Sequence, residues 1–315
     1  CTIGCEHVFQ TKRGQGVRLE YEGLFALGPL CGIDDKDTIL EAAARCDELG
    51  LDVISAGGTA AFAMECRERG LLDDAPPFGD GAGLLALLDD MAHRRGIGAL
   101  LAEGSRRAAE EIGGEAPSFA CHVKGMELPG YEPRALQAMA LGLAVGTRGA
   151  DHNRSGAYED DFRPGANRLE ADPSKGAAAA ASEDRAALVD CLVLCKFLRG
   201  VFEDLYAECA VLLEAVTGWE VDAAQLRATA ERIVTARKLF NVREGWTRAE
   251  DTLPPRFLQE SLPDGPAEGA SLSAQGLNRM IAAYYAARGW TEEGDVPSSV
   301  VSGLDLVDLP GEAPA

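Results

Sequence analysis

Apolar positions along this chain fall mostly three and four residues apart, and the runs they form stop at glycine. Ile39, Leu40, Ala43 and Cys46 follow Asp35-Lys36-Asp37 at helical spacing. Gly50 stands where a left-handed C-terminal cap is wanted, so a helix is predicted to end there. Residues 59–69 predict a second helix closed by Gly70, GLLALLDDMAHRR a third closed by Gly96, and ALLAEGSRRAAEEI a fourth closed by Gly113-Gly114. Strand-like alternation is nearly confined to VRLEYEGLF, which reads as a short strand or an extended loop. Between Cys121 and Pro164 the text turns to Gly, Pro, Arg and His around one short apolar segment, the composition of loops framing a helix at a domain junction. SKGAAAAASED reads as a connector or the start of a helix. DRAALVDCLVLCKFLRGVF and SLSAQGLNRMIAAYYAARG return to helical spacing, the latter with Leu277, Met280, Ile281 and Tyr284 on one face. The expectation is a mainly α protein of two helical domains, residues 1–122 and 123–315.

Composition narrows the classes of partner. At 315 residues the chain is long enough for two ordinary cores, and no apolar run approaches the ~18 residues of a spanning helix. With 51 acidic against 30 basic side chains, the formal charge of -21 repels phosphate backbones and anionic lipid, which argues against nucleic-acid and membrane partners. Nine cysteines, an odd number thinly spread, point to a reducing compartment and a cytoplasmic location. The chain opens CTIGC without a methionine and reads as cut through a motif.

One hexad recurs. Asp47-Glu48-Leu49-Gly50-Leu51-Asp52 and Asp190-Cys191-Leu192-Val193-Leu194-Cys195 each place an Asp five positions before a second Asp or a Cys, with Leu just before that last residue. Where a helix ends at the fourth position, the first and last side chains can turn toward one ligand, and two such turns suit a ligand with two like halves. A carboxylate accepts from adjacent N–H donors such as those on the edge of a pterin ring. Read alone, Asp47 is more often a solvated charge at a helix end and Cys195 a small buried hydrophobe. Cys191 and Cys195 share a helix face as core or as ligands, and Cys1 and Cys5 flank a small loop whose thiolates favour Fe–S clusters or zinc. His152, in the polar stretch Arg148-Gly-Ala-Asp-His-Asn-Arg154, is a candidate proton donor or acceptor; His7, His93 and His122 have weaker cases. If the segment around Tyr21 is extended, Glu20 and Glu22 lie on one face, either as a general base or as part of an exposed strand face.

CTIGC, LEYEGLFALGPLCGIDDKD, CDELGLDVISAGGTAAFAMECRERG, HVKGMELPGYEPR, LGLAVGTRGADH, LVLCKF and FNVREGWTRAEDTLPPRF together resemble, in order and over nearly the whole chain, the aldehyde ferredoxin oxidoreductase family of tungsten enzymes. The resemblance implies a tungsten (or molybdenum) bis-pyranopterin held at the interface of two helical domains. Asp47, Gly50, Leu51 and Asp52 match one pterin motif, and Asp190, Leu194, Cys195 and Lys196 the other. It implies further that Cys1, Cys5 and Cys195 ligate a 4Fe-4S cluster whose first cysteine, together with an N-terminal domain, precedes this sequence. Glu22 as general base and His152 as hydrogen-bond donor would then stand beside the metal. The implied reaction oxidises an aldehyde to a carboxylic acid and passes electrons to ferredoxin or another redox subunit, with this fragment inactive by itself. Relatives that reduce a substrate such as an aromatic thioester in a larger complex, or a metal-free scaffold subunit, are the alternatives. Two departures are visible. Val193 replaces the glycine usual in the second motif, which puts the turn there in question. Glu41 is followed at Ala44 by no histidine, so no metal is expected at a dimer interface. The acidity of the chain also suits ferredoxin poorly unless a local basic patch receives it.

Overall fold

The computed structural model describes residues 3–5, 7–198 and 200–307; Cys1 lies outside them. The chain folds into two compact units, Cys1–Tyr131 with Leu253–Arg256, and Glu132–Thr252 with Phe257–Ala315. Both are built of helices, with two short antiparallel hairpins, Val8–Gln10 with Gly16–Arg18 and His122–Val123 with Met126–Glu127, in the first. The first unit runs past the boundary expected near residue 122 because the second hairpin is tied into it. The buried Glu127 carboxylate accepts from Thr59 Oγ1 at 3.2 Å and from the Ser105 N–H and Oγ at 2.8 Å each.

In the first unit the predicted helix is present as Lys36–Leu49, with Asp35 accepting from the Thr38 N–H at 3.0 Å and Gly50 closing the far end at a φ of 70°. The second predicted helix begins earlier than its spacing implied, at Val53, because Asp52 caps it by accepting from the Ser55 N–H at 2.8 Å. Its small residues serve close approach: a Cβ on Gly57 would lie 2.4 Å from the Ala26 carbonyl oxygen of the Tyr21–Leu27 helix. Leu27, Ile39, Leu40, Met64, Leu84, Leu88 and Phe119 fill the core around these helices. Two expectations are corrected. VRLEYEGLF is strand only through Arg18; Tyr21–Leu27 is a helix, so Glu22 stands in its first turn and Glu20 at its N-cap, not on one strand face. The fourth predicted helix breaks into Gly98–Leu101 and Gly104–Ile112, since Gly104 takes a φ of 84°.

In the second unit the low-complexity SKGAAAAASED opens the long helix Ser174–Cys191. Its alanines follow from packing: Ala179, Ala180, Ala186 and Ala187 are buried, and a Cβ on Gly176 would lie 2.5 Å from the Tyr284 backbone nitrogen of the Ala274–Arg288 helix. That contact carries a buried polar network. Arg288 donates to Glu183 Oε2 at 2.8 Å, to Asp184 Oδ1 at 2.6 Å and to the Ala180 carbonyl at 2.9 Å, and Tyr284 donates to Glu183 at 2.5 Å. Burial and the Glu183 carboxylate together hold the Tyr284 hydroxyl protonated. The helix Gln137–Val145, buried on every side, has its first N–H groups capped by Asp161, which accepts from Ala138 at 3.0 Å and Met139 at 2.9 Å. No helix among the described residues is long and apolar enough to cross a membrane.

Candidate functional site

The two hexads fold alike. Lys36–Leu49 ends with the Leu51 N–H bonded to the Cys46 carbonyl at 2.9 Å and the Gly50 N–H to the Asp47 carbonyl at 3.4 Å. Ser174–Cys191 ends with the Leu194 N–H on the Val189 carbonyl at 2.9 Å and the Val193 N–H on the Asp190 carbonyl at 3.1 Å. Both are Schellman turns, and in each the leucine after the left-handed residue packs back on its own unit's core. The turn survives the exchange of glycine for valine: Val193 adopts a φ of 57° with 91% of its surface exposed. A branched residue in the left-handed region costs roughly 1–2 kcal/mol. Val193→Gly in the full-length protein is therefore expected to raise stability by about 1 kcal/mol after the added chain entropy of glycine is subtracted. Thermal unfolding checks this, and a lower melting temperature for the variant would contradict the strain.

The aspartates that open the turns differ in their surroundings. The Asp47 carboxylate is exposed and makes no hydrogen bond or ion pair among the described residues. Asp190 is half-buried between two cations, with Arg154 Nη1 2.6 Å from Oδ2 and Lys196 Nζ 3.3 Å from Oδ1. Lys196 Nζ also donates to the Asn153 carbonyl at 2.7 Å. Asp151 holds the adjoining short turn His152–Ser155 by accepting from the N–H groups of Asn153 at 2.9 Å and Arg154 at 3.1 Å. The structure thus brings Asp190, Lys196 and the turn carrying His152 into one bonded group, with the His152 ring 6.2 Å from that of Tyr158. Arg154 joins these parts, and its place two residues after His152 is the one sequence signal of that role. A donor-rich ring edge fits these acceptors, since Asp47 has both oxygens available and each Asp190 oxygen keeps a second lone pair. Asp52 and Cys195 part company: Asp52 is committed to its helix cap, whereas Cys195 is exposed before the turn Lys196–Leu198.

Glu22 is half-buried, and its Oε2 accepts from the Gly130 N–H at 2.8 Å. The neighbouring Tyr21 hydroxyl donates to the Gly130 carbonyl at 2.6 Å, so both polar groups of Gly130 are fixed by the first turn of one helix. Burial pushes the Glu22 carboxyl above its ordinary value, and the Gly130 N–H opposes the shift only in part. A carboxylate so raised is a stronger base than a solvated one, which suits proton abstraction. Glu20, by contrast, is exposed and paired with Arg18.

Cys5, Cys191 and Cys195 are exposed free thiols. Cys46, directly before Asp47, is buried and its thiol is pushed up to about 12, first by burial and then by Asp47 and Asp52, so it stays protonated and is no thiolate ligand. Among the described residues no group of three or more His, Cys, Asp or Glu side chains converges as a metal site, and Cys1 is not among them.

Residues 1–306 match the family described as "Aldehyde ferredoxin oxidoreductase, domains 2 & 3". The chain is 38% identical over 98% of its length to the tungsten-containing aldehyde ferredoxin oxidoreductase of Pyrococcus furiosus and 37% identical over 98% to that of Thermococcus kodakarensis, spanning 52% of each. It is 28% identical, over 91% of its length, to the aliphatic sulfonate oxidoreductase WOR-like subunit of Pyrococcus furiosus. Among solved structures, the active site complex BamBC of benzoyl coenzyme A reductase superposes with a TM-score of 0.74 at 20% identity, covering 96% of this chain and 51% of that one; this likeness speaks for the fold alone. The chain spans about half the length of the curated relatives it matches. With the matched turns in place and the family description covering nearly every residue, the chain belongs to the aldehyde ferredoxin oxidoreductase family.

Proposed function

We propose that this chain forms the helical half of a tungsten-dependent oxidoreductase that converts an aldehyde and water into a carboxylic acid, two protons and two electrons, the electrons leaving for ferredoxin or another redox subunit. The repeated Schellman turn in two separate units is the observation that carries the reading, because it presents Asp47 and Asp190 in the same manner at two helix ends. In this reading Asp47 and Asp190 accept hydrogen bonds from the two halves of a bis-pyranopterin, supported by Gly50, Leu51 and Asp52 in the first turn and by Leu194, Cys195 and Lys196 in the second. When bound, tungsten or molybdenum supplies the two-electron acceptor for the substrate carbon. The protein's part is to position the carbonyl and to move protons. Glu22 takes a proton from water, and His152 donates a hydrogen bond to the substrate oxygen as charge develops on it. Arg154 and Lys196 hold the Asp190 carboxylate in place through their ion pairs. Cys1, Cys5 and Cys195 are proposed ligands of a 4Fe-4S cluster; Cys5 and Cys195 are exposed free thiols, and thiolates are soft ligands suited to iron–sulfur clusters.

Elemental analysis of full-length protein purified without oxygen tests the proposal. Tungsten or molybdenum is expected near one atom per chain, falling about tenfold when Asp47 and Asp190 are both replaced by alanine while the fold is kept. Absence of both metals from the intact wild-type protein would favour a scaffold subunit. The sulfonate-acting relative makes aliphatic sulfonates the natural comparison for aldehydes in substrate assays.

A further inference from the structure

The second unit holds a groove of about 1030 Å³ whose charge is opposite to that of the chain as a whole. Its walls carry Arg148 and Arg154 from one segment and Arg237 and Arg243 from the Ala223–Arg243 helix, with no acidic residue among the described residues lining it. Asn241 Nδ2 donates to the Thr147 carbonyl at 2.6 Å and pins the helix to the loop that carries Arg148. In a protein of formal charge -21, four arginines lining one groove are not explained by the average surface.

Three of these arginines already have carboxylate partners: Arg148 with Asp151 at 2.8 Å, Arg154 with Asp190 at 2.6 Å, and Arg243 with Glu244 at 2.9 Å. Each guanidinium has five N–H donors, so one carboxylate does not saturate it. Arg237 is half-buried in the groove and makes no hydrogen bond or ion pair among the described residues. Between Arg237 and Arg243 on the same helix stands Phe240, 54% exposed, with the Arg243 guanidinium 4.8 Å from its ring centroid. Val301, Leu306 and Val307 make the far end apolar. The groove therefore offers a flat aromatic face, a fork-shaped donor without a partner, and a greasy end within one cavity of ligand size.

We propose that this groove binds an aromatic phosphate ester of nucleotide size, its ring stacked on Phe240 and its phosphates on Arg237 and the free donors of the neighbouring arginines. A small inorganic anion would leave the aromatic and apolar surfaces wet, and an uncharged aromatic would leave Arg237 unpaired. The groove shares Arg154 with the second aspartate turn but differs in chemistry, since the turns call for a ligand rich in donors and the groove for one rich in acceptors.

Adenosine 5′-diphosphate is a suitable probe, with inorganic pyrophosphate as the ring-free comparison, both titrated into the full-length protein by calorimetry. The diphosphate is expected to bind with a Kd of ~1 mM or tighter at low salt, at least about tenfold better than pyrophosphate. Arg237→Ala and Phe240→Ala should each weaken it by about tenfold while leaving the melting temperature unchanged, since neither side chain is a core residue. Binding should also weaken as salt rises from ~50 to ~200 mM. Absence of binding, equal affinity for pyrophosphate, or binding indifferent to both substitutions would overturn the assignment.

Discussion

Glu22→Gln in the full-length protein is expected to lower turnover by about 10²–10⁴-fold without loss of bound metal, because it removes a proton acceptor and keeps the shape of the side chain. The hydrogen bond from the Gly130 N–H can pass to the glutamine carbonyl, so the first turn of the Tyr21–Leu27 helix should hold its place. The variant's stability separates a catalytic loss from a structural one. Burial raises the carboxyl in the folded chain, so the folded state holds that proton more tightly than the unfolded one does. The resulting stabilisation is complete below the ordinary carboxylate range and is lost as pH rises through the raised value; at neutral pH the ionised group is a cost. Glu22→Gln should therefore unfold at the same temperature as the wild type, or higher, at pH 7. The acid limb of the wild-type rate profile should lie above the ordinary range for glutamate. Wild-type turnover in the glutamine variant would remove Glu22 from the mechanism. His152→Ala is expected to cost ~10²-fold with the metal retained, the smaller loss reflecting a hydrogen-bond donor and not the base.

Arg288→Ala is expected to be the most damaging single change to the fold, at about 3–5 kcal/mol. The guanidinium is 2% exposed and satisfies Glu183, Asp184 and the Ala180 carbonyl together, so its removal leaves two neighbouring carboxylates of the Ser174–Cys191 helix without their cation. For a unit of this size the fall in melting temperature should be on the order of 10 °C. Adding Glu183→Gln to Arg288→Ala should recover part of the loss by discharging one of the stranded groups. A melting temperature within a degree or two of wild type for Arg288→Ala would show that water reaches the network and that the burial argument fails.

Which parts of this structure could be read in the residues, and which could not, follows from how local each determinant is. The Lys36–Leu49 helix was legible because its cap, its apolar spacing and its closing glycine lie within sixteen consecutive positions. The kinship of the two hexads was legible for the same reason, and the bonded turns give it a shape. Val193 was the hard case: a branched residue opposes the left-handed turn, and only the rest of the turn, with Leu194 packed on the core, overrides that preference. The Tyr21–Leu27 helix is not legible in the residues because Val17, Leu19 and Tyr21 alternate as a strand would, while the surface that makes the segment helical comes from Gly57 and Ala26 pressed together. Arg148 and Arg237 are far apart in the chain, and no local pattern announces that they share a groove. Arg154 and Asp190 are likewise distant in the chain, and no local pattern marks their pairing.

The return of Leu253–Arg256 to the first unit bears on how the protein is made. Arg256 donates to both oxygens of Glu65, at 2.9 and 2.5 Å, so the early helix Val53–Glu68 receives one of its ionic partners from late in the chain. A ribosome must therefore release Arg256 before Glu65 has all of its ion pairs, and a gene cut after Tyr131 would yield a piece in which Glu65 keeps its pair with Arg69 but loses the one with Arg256. Any split version of this protein would need the later strap supplied along with the earlier half.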